Sequence, residues 1–535
     1  MLTGYGIIFT SRPRKTLECQ GGHIRIRDLI IPAVLSLSLV LLSLSLQGRI
    51  GLGLDDEGFL WYGVQRFIEG DAPLRDFQSY EPGRYIWCAF TGLVFGEGIL
   101  GLRAGVAVFQ AIGLFFGLLC VARLKDSFTL LLISALLFLL WMHPRHKLFE
   151  PSIVMAAVFA GAFLLRLPSG FRHFLAGCFI GTAFFFGRNH GLYCLAGIGG
   201  IVIFLGIRNG LSFSTGRIVS FLSGIALGFV PIAIMAIVFT GFGSAFAESL
   251  FFHISTGNVN LSLPVPWPWN ADLANINREA GIRIFSQGLL FAGIPVFYGA
   301  VLLKAFFSKN MDMERMAPII SCAFIGIPYL HHAYARADLS HLAQAIHPFL
   351  IGVLCLFAAT QRSLPRITAW ILVAAVSLLS LGSAATVAPA YEKWSGTLGP
   401  YVEVHVQGDR LMVPETTGKT IERLFSMERN YFSSGGEVMT APHLPGAYAV
   451  LGRRSPVWQT YFFFPETEEG QKAIMREMDE KRVRWVILGN GTIDGREDLR
   501  FRNTHPLVRR YIMDAFAPVP GETLPGGYQL YKRIG

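Results

Sequence analysis

The chain has 535 residues, of which 52% are hydrophobic and only 15% are charged, and this balance excludes a soluble protein of ordinary composition. The formal net charge of +10 does not indicate nucleic-acid binding, because much of the basic excess lies in short loops between apolar segments. The composition therefore predicts a protein of the lipid bilayer, with no nucleic acid among its partners.

Residues 28–390 contain repeated apolar stretches that predict about eleven transmembrane helices. The basic residues 1–27 are predicted to be a cytoplasmic N-terminal segment, and the first apolar run is predicted to be retained because it lacks a small-residue cleavage site. Residues 391–535 turn polar and are predicted to form a soluble domain. The predicted spans are 29–46, 101–122, 127–142, 151–165, 174–187, 191–206, 218–240, 286–303, 316–330, 342–360 and 367–388.

The charge of the short loops assigns them to the two faces of the membrane. With the N-terminus inside, alternate loops are short and basic, as cytoplasmic loops are. Segment 85–95 is apolar but short for a span, so it is predicted to be interfacial or re-entrant. The outer face then receives the long first outer loop 48–100, the segments 144–150, 188–190, 241–285 and 331–341, and the C-terminal domain.

The first outer loop opens with three adjacent carboxylates, Asp55, Asp56 and Glu57. Adjacent carboxylates at a membrane interface repel one another and are costly to desolvate, so compensating positive charge is expected nearby. Residues 59–69 follow with apolar side chains at helical spacing, which predicts an amphipathic helix lying on the membrane surface.

The order of motifs in this loop resembles the first outer loop of bacterial GT-C glycosyltransferases. These multi-span enzymes are related to protein mannosyltransferases and to the aminoarabinose transferase of lipid A. Residues 336–341, Arg-x-Asp-x-x-His, are similar to a second element of the family. The shared motifs are Asp-Glu-Gly at 56–58, a surface helix, Gly-x-x-Pro-x-Arg-Asp-Phe at 70–77, and Pro-Gly-x-Tyr at 82–85.

The resemblance implies transfer of a sugar from a polyprenyl phosphate at the outer face of a bacterial inner membrane, with the C-terminal domain in the periplasm. The acceptor would be a hydroxyl of a lipid, a glycan or a protein. The chain departs from the family where Glu81-Pro82 stands in place of the Pro-Pro of many relatives, and no lysine follows the acidic residue. Lipid-phosphate contacts are therefore not carried over at that step.

Asp56 is predicted, from its place in the family motif, to be the general base that deprotonates the acceptor hydroxyl. Asp55 and Glu57 are the alternates, and the triplet could bind a divalent cation such as Mg²⁺ or Mn²⁺. A departing lipid phosphate is stabilised by fixed positive charge, for which the planar fork of arginine is suited. Candidates for binding the donor phosphate are Arg336, Arg188, Arg84, Arg145 and Lys147, and candidates for supporting roles are Asp338, His341, His190, Asp76, Glu81 and Tyr85.

Each candidate also has a structural interpretation. The acidic residues 55–57 could be a solvated helix cap, and residues 336–341 could be an ion-pair cluster that ties two spans together. Arg188 and His190 could mark a membrane interface, and Lys147, beside the less specific His146 and Glu150, could be an interfacial anchor.

The C-terminal domain alternates strand-like and helical runs, which predicts a small α/β layer. It contains no phosphate loop, nucleotide fingerprint or nucleophile elbow, so we expect it to cover the membrane site or to guide the acceptor. The predicted strands are 402–406, 438–440, 483–488 and 528–531, and the predicted helices are 420–428, 468–481 and 505–516.

The leading hypothesis is an inverting glycosyltransferase of this type. A transporter or flippase of a lipid-linked glycan is the alternative from another class. Transporters place ionisable residues near the bilayer midplane and often show internal repeats, whereas the charges of this chain gather at one interface. A transferase of whole oligosaccharides or of acyl groups is a third possibility.

Overall fold

The computed structural model describes residues 26–125, 127–208, 210, 214–256, 261–270, 278–308, 311–360, 363–433 and 435–535. The basic segment predicted to be cytoplasmic lies, up to residue 25, outside the described residues. The apolar part is helical: α1 (Ile26–Gln47), α2 (Asp56–Ile68), α3 (Pro82–Phe95), α4 (Ile99–Ala122), α5 (Phe128–Leu140), α6 (Phe149–Arg166), α7 (Gly170–Phe186), α8 (Arg188–Arg208), α9 (Thr215–Gly228), α10 (Val230–Val238), α11 (Phe242–Thr256), α12 (Arg278–Phe307), α13 (Met313–Ala335), α14 (Leu339–Ala345), α15 (His347–Ala359), α16 (Ser363–Ala384) and α17 (Pro389–Ser395).

The helices confirm a multi-pass membrane protein. Among the described residues, eight helical segments are long and apolar enough to cross a bilayer, and α14 with α15, bent by 51°, makes a ninth if the pair counts as one span. The two other predicted spans fall on the shorter apolar helices α5 and α7. Every stretch predicted to cross the membrane is therefore mainly helical, and α3, which contains segment 85–95, has only 14 residues.

Glycines determine how closely α7 and α9 pack. They recur four residues apart on both helices, at Gly177 and Gly181 on α7 and at Gly224 and Gly228 on α9. A methyl group on Gly181 would lie 2.5 Å from the carbonyl oxygen of Ile225, so the two backbones touch. Small residues at this spacing let membrane helices approach closely where lipid offers equally apolar surroundings.

The C-terminal region forms a two-stranded hairpin and a mixed four-stranded sheet. In the larger sheet the order is β3-β4-β6-β5, with β3 parallel to β4 and the other pairs antiparallel. The predicted α/β layer is confirmed, and β2 and β5 are strands that the sequence did not predict. The elements are β1 (Tyr401–Val406), β2 (Asp409–Pro414), α18 (Glu415–Met427), β3 (Glu437–Ala441), α19 (Gly446–Leu451), α20 (Glu468–Glu480), β4 (Val483–Gly489), α21 (Phe501–Thr504), α22 (Pro506–Ala515), β5 (Phe516–Leu524) and β6 (Tyr528–Arg533).

Strand β4 divides its side chains between two hydrophobic clusters, as the alternation of a strand requires. Val486 and Leu488 pack with α20 and α22 on one face of the sheet. Trp485 and Ile487 pack with α18 and α19 on the other face. Helices therefore cover both faces of the central strand.

Helix α2 is confirmed, but its predicted position on the membrane surface is corrected by its burial. Nine of its 13 residues are buried, because α3 packs on one side and α19 of the C-terminal region packs on the other. Gly58 and Gly446 allow this contact, since a methyl group on Gly446 would lie 2.6 Å from the Leu54 carbonyl oxygen. The C-terminal region is thus fixed directly onto the acidic start of the first outer loop.

Candidate active site

The three carboxylates of the first outer loop begin α2 and point into different surroundings. Asp55 is exposed, Asp56 is half-exposed and Glu57 is buried. Negative charge is favourable at a helix N-terminus, which explains why the sequence tolerates the triplet here. Asp55 precedes the helix without a side-chain capping hydrogen bond, so the arrangement differs from a simple cap.

Glu57 is held in a buried ion pair. Its two carboxylate oxygens each accept a hydrogen bond of 2.8 Å from the guanidinium of Arg103, and Arg103 also donates to the carbonyl oxygens of Gly48 and Gly51. Burial alone would raise the pKa of Glu57, but Arg103 and Arg145 hold it well below its ordinary value. The predicted alternate base is therefore a structural anion that fixes the loop to α4.

Asp56 is accessible and held from two sides. The Tyr461 hydroxyl donates a hydrogen bond of 2.7 Å to Oδ1, and Nε2 of His146 lies 3.4 Å from Oδ2. The side chain remains 42% exposed, so a substrate can reach it. Burial alone would raise the pKa of Asp56, but His146, Lys147 and His443 hold it well below its ordinary value.

A turn of three basic residues, Arg145, His146 and Lys147, leads into α6 and faces the acidic triplet. Arg145 lies 3.7 Å from Glu57 and donates a hydrogen bond to the Gln47 carbonyl oxygen, whereas His146 faces Asp56. The Lys147 ammonium lies 3.9 Å from the centre of the Tyr80 ring, and no ion pair engages it among the described residues. We call these three residues the basic turn.

The three remaining phosphate candidates are paired with carboxylates. Arg84 donates to Glu150 at 2.8 Å and to the Phe186 carbonyl oxygen, and both members of this pair are buried. Arg188 pairs with Glu81 and also donates to Ser249. These contacts join four of the segments predicted to lie on the outer face, 48–100, 144–150, 188–190 and 241–285. They also pair with carboxylates the arginines that were predicted to bind a phosphate.

Arg336 is also fully engaged. Its guanidinium donates a hydrogen bond of 2.7 Å to Asp338. It also donates two hydrogen bonds, of 2.7 and 2.8 Å, to the carboxylate of Asp494 in the C-terminal domain. Asp338 accepts from the backbone and the ring of His341 at the start of α14. Burial alone would raise the pKa of Asp338, but these partners lower it to about 2. The geometry favours the ion-pair interpretation of this cluster.

The other supporting candidates stabilise the loops around the site. Asp76 accepts from the Ala72 backbone at 2.7 Å and closes a turn, and the Tyr85 hydroxyl accepts from the Tyr80 backbone. His190 bonds the Tyr329 hydroxyl at 2.9 Å inside the helical bundle. None of these three contacts involves Asp56.

A small cavity lies beside the acidic triplet, and a larger apolar cavity adjoins it. A cavity of about 60 Å³ is lined by Glu57, Arg103, Arg145 and His146 together with apolar residues of α1 and α4. A second, apolar cavity of about 320 Å³ between α1 and α4 shares Leu44 and Ala107 with the first. Neither Asp56 nor Arg336 lines either of these two cavities.

A divalent cation remains a prediction. Within the described ranges no group of three or more His, Cys, Asp or Glu side chains is arranged to hold a metal ion. Since Glu57 is occupied by Arg103, only Asp55 and Asp56 of the triplet have carboxylate oxygens free of an arginine.

The C-terminal domain was expected to cover the site, but none of its residues was predicted to contact Asp56. Tyr461 bonds Asp56, and the His443 ring lies 4.8 Å from the Tyr461 ring. The run Tyr-Phe-Phe-Phe at 461–464 is an aromatic cluster in an otherwise polar region, and this was the signal available. His146 was predicted to be less specific than the arginines, and a single sequence does not show its partner Asp56, which lies 90 positions earlier.

The apolar helices, the buried acidic loop and the α/β domain packed upon it define a polytopic membrane protein with the GT-C fold. Two crystal structures of ArnT from Cupriavidus metallidurans share this fold. The structure bound to undecaprenyl phosphate matches 95% of this chain and 98% of its own, with a TM-score of 0.53 and 11% identity. The apo structure matches 94% and 97%, again with a TM-score of 0.53 and 11% identity. No family model and no curated protein matches the sequence.

Proposed function

We propose that this protein is a membrane glycosyltransferase that moves a sugar from a polyprenyl-phosphate donor to an acceptor hydroxyl of a lipid, a glycan or a protein. The observation that carries the proposal is the position of Asp56, an accessible carboxylate between Tyr461 and the basic turn. Transfer from a lipid phosphate requires a proton acceptor close to fixed positive charge. The shared fold with ArnT, one structure of which binds undecaprenyl phosphate, supports a polyprenyl-phosphate donor.

In the proposed reaction the acceptor oxygen bonds to the anomeric carbon while the bond from that carbon to the phosphate oxygen breaks. Asp56 takes the proton of the acceptor hydroxyl, and the phosphate leaves with the bonding electrons. Lys147, which forms no ion pair among the described residues, and Arg145 stabilise the departing phosphate. Attack opposite the leaving group inverts the anomeric configuration.

The low pKa of Asp56 fits this sequence of events. A carboxylate held far below its ordinary pKa is ionised at neutral pH but is a weak base. A donor phosphate beside Lys147 and His146 would offset the positive charge that lowers the pKa. Donor binding would therefore make Asp56 a stronger base when the acceptor arrives.

The test compares Asp56→Asn with the native protein, in lipid, for transfer of radiolabelled sugar from polyprenyl phosphate. Loss of a general base lowers turnover by about 10²- to 10⁴-fold. Asp498→Asn is the matched control, because Asp498 is an exposed carboxylate paired with Arg496 in the C-terminal domain. Equal turnover of the native and Asp56→Asn proteins would remove Asp56 from the proposed role.

One observation favours the transporter or flippase alternative. His190 and His332 are buried within α8 and α13 with their rings 6.4 Å apart, and they bond Tyr329 and Gln344. Ionisable side chains inside spans often mark transport paths. Flipping of a labelled lipid-linked glycan in vesicles, lost in His190→Phe, together with no sugar transfer from any lipid-linked donor, would support this alternative.

A further inference from the structure

A segment of the C-terminal domain, residues 455–463, lies across the first outer loop. Gln78 anchors it, because its side-chain oxygen accepts from the backbone of Thr460 at 2.9 Å and of Tyr461 at 2.7 Å, and its own backbone donates to Trp458. The Tyr62 hydroxyl of α2 accepts from the backbone of Ser455. The backbone of this segment is thereby fixed relative to α2.

The Tyr461 side chain is held as firmly as its backbone. Its ring stacks on Phe59 of α2, with ring centres 4.2 Å apart and planes 16° apart, and on Phe463 at 4.7 Å. The hydroxyl then reaches Oδ1 of Asp56. Because the stacked ring of Tyr461 is fixed, its hydroxyl is also fixed. The hydrogen bond therefore determines the orientation of the Asp56 carboxylate.

We propose that Tyr461 is a positioning residue for Asp56, so that the C-terminal domain completes the active site instead of only covering it. This inference rests on the proposed function. With Oδ1 held by Tyr461, Oδ2 is the oxygen that faces the basic turn and takes the acceptor proton. The hydrogen bond also stabilises the carboxylate over the carboxylic acid.

The experiment measures kcat, the donor KM and the pH profile of Tyr461→Phe in the full-length protein. The phenylalanine keeps the stacking on Phe59 and removes only the hydroxyl. A hydrogen bond to a charged group is worth a roughly 10- to 100-fold change, so we expect kcat to fall by that factor at an unchanged donor KM. The acidic limb of the profile should move to higher pH, because the carboxylate loses a donor that favours its charged form.

Tyr511→Phe is the matched control. The Tyr511 hydroxyl donates to the carboxylate of Asp479 at 2.5 Å in the same domain but away from α2. It should leave kcat and the pH profile unchanged. An equal effect of both variants, or no shift of the acidic limb in Tyr461→Phe while Asp56→Asn is inactive, would overturn the inference. Full activity of Asp56→Asn would instead overturn the proposed function.

A second variant covers the case in which Tyr461→Phe fails to fold. Replacing Tyr461 by 3,5-difluorotyrosine keeps the ring and makes the hydroxyl a stronger hydrogen-bond donor. Burial and the neighbouring Asp56 raise the pKa of this phenol, which favours its protonated, donating form. The acidic limb should then move to lower pH, opposite to its shift in Tyr461→Phe, because a stronger donor favours the charged form of Asp56. An unchanged acidic limb would contradict the role of Tyr461.

Discussion

Among the candidate phosphate ligands, Lys147 places its ammonium group over the aromatic ring of Tyr80 and not against a carboxylate. We expect Lys147→Gln to raise the KM for a polyprenyl-phosphate sugar by roughly tenfold or more, because a charge-assisted contact to the phosphate is lost. The melting temperature should stay close to that of the native protein, since no buried ion pair is broken.

Arg84→Gln is the contrasting variant for this prediction. It leaves the buried carboxylate of Glu150 without its partner, which typically destabilises a protein by about 3–5 kcal/mol. We therefore expect a lower melting temperature for Arg84→Gln, measured in the same lipid. A donor KM that is unchanged in Lys147→Gln would exclude Lys147 from phosphate binding.

The sequence singled out Asp56 as the candidate base but could not rank the cations around it. Asp56 stands in a local motif, so its neighbours along the chain were enough to single it out. The partners of Arg188 and Arg336 lie 107 and 158 positions away, at Glu81 and Asp494. A single sequence does not show such distant pairs. Arginines held in ion pairs therefore could not be distinguished from cations that are able to bind a phosphate.

A buried histidine, His505, directly precedes α22, and its charge state couples the stability of the C-terminal domain to pH. The His505 ring stacks on Phe501 and meets Phe462 edge-on, and burial lowers its pKa to about 3. The unfolded chain binds a proton near pH 6.5 and the folded chain does not. Folding stability is therefore complete above pH 6.5 and falls as the pH decreases from there towards 3.

Between pH 7.5 and 5.5 this loss amounts to about 1 kcal/mol. We expect His505→Phe, which keeps an aromatic ring at the same place, to show a smaller decrease in melting temperature over this range than the native protein. His405→Gln is the control, because His405 is exposed on β1. The prediction fails if His505→Phe and the native protein lose stability in parallel.

At the scale of elements, long apolar runs were predictable and the margins of the sheet were not. The spans follow from length and hydrophobicity alone. Strand β5 was missed because it contains Pro518 and Pro520, which are tolerated only because β5 pairs with β6 on one side and forms the edge of the sheet. The burial of α2 was missed because its cover, α19, is formed by residues almost 400 positions later.

At the scale of the whole molecule, the contacts gather the acidic loop, the basic turn and the C-terminal domain at one end of the bundle. Arg166 and Glu314, 3.8 Å apart, belong to loops predicted to lie on the other face. We propose that the end with Asp56 faces away from the cytoplasm. The basic loops predicted this orientation through the preference of arginine and lysine for the cytoplasmic side.

Cysteine labelling from outside intact cells tests the orientation. Glu69→Cys, exposed after α2, should react with a membrane-impermeant maleimide, and Lys125→Cys should react only after the membrane is opened. The six described native cysteines are buried or half-buried, which limits their reaction, and the native protein is the control for the seventh, Cys19. The reverse pattern would place the site in the cytoplasm, where nucleotide sugars would compete as donors.

The bond between Asp56 and Tyr461 joins residues 405 positions apart. During synthesis Asp56 is translated early, whereas Tyr461 is added only when well over four-fifths of the chain has been made. The nascent chain therefore cannot assemble this pair while the ribosome is still adding spans. Any chain that stops short of residue 461 carries the acidic loop without the group that orients it, so premature termination yields an incomplete site and not a shortened working one.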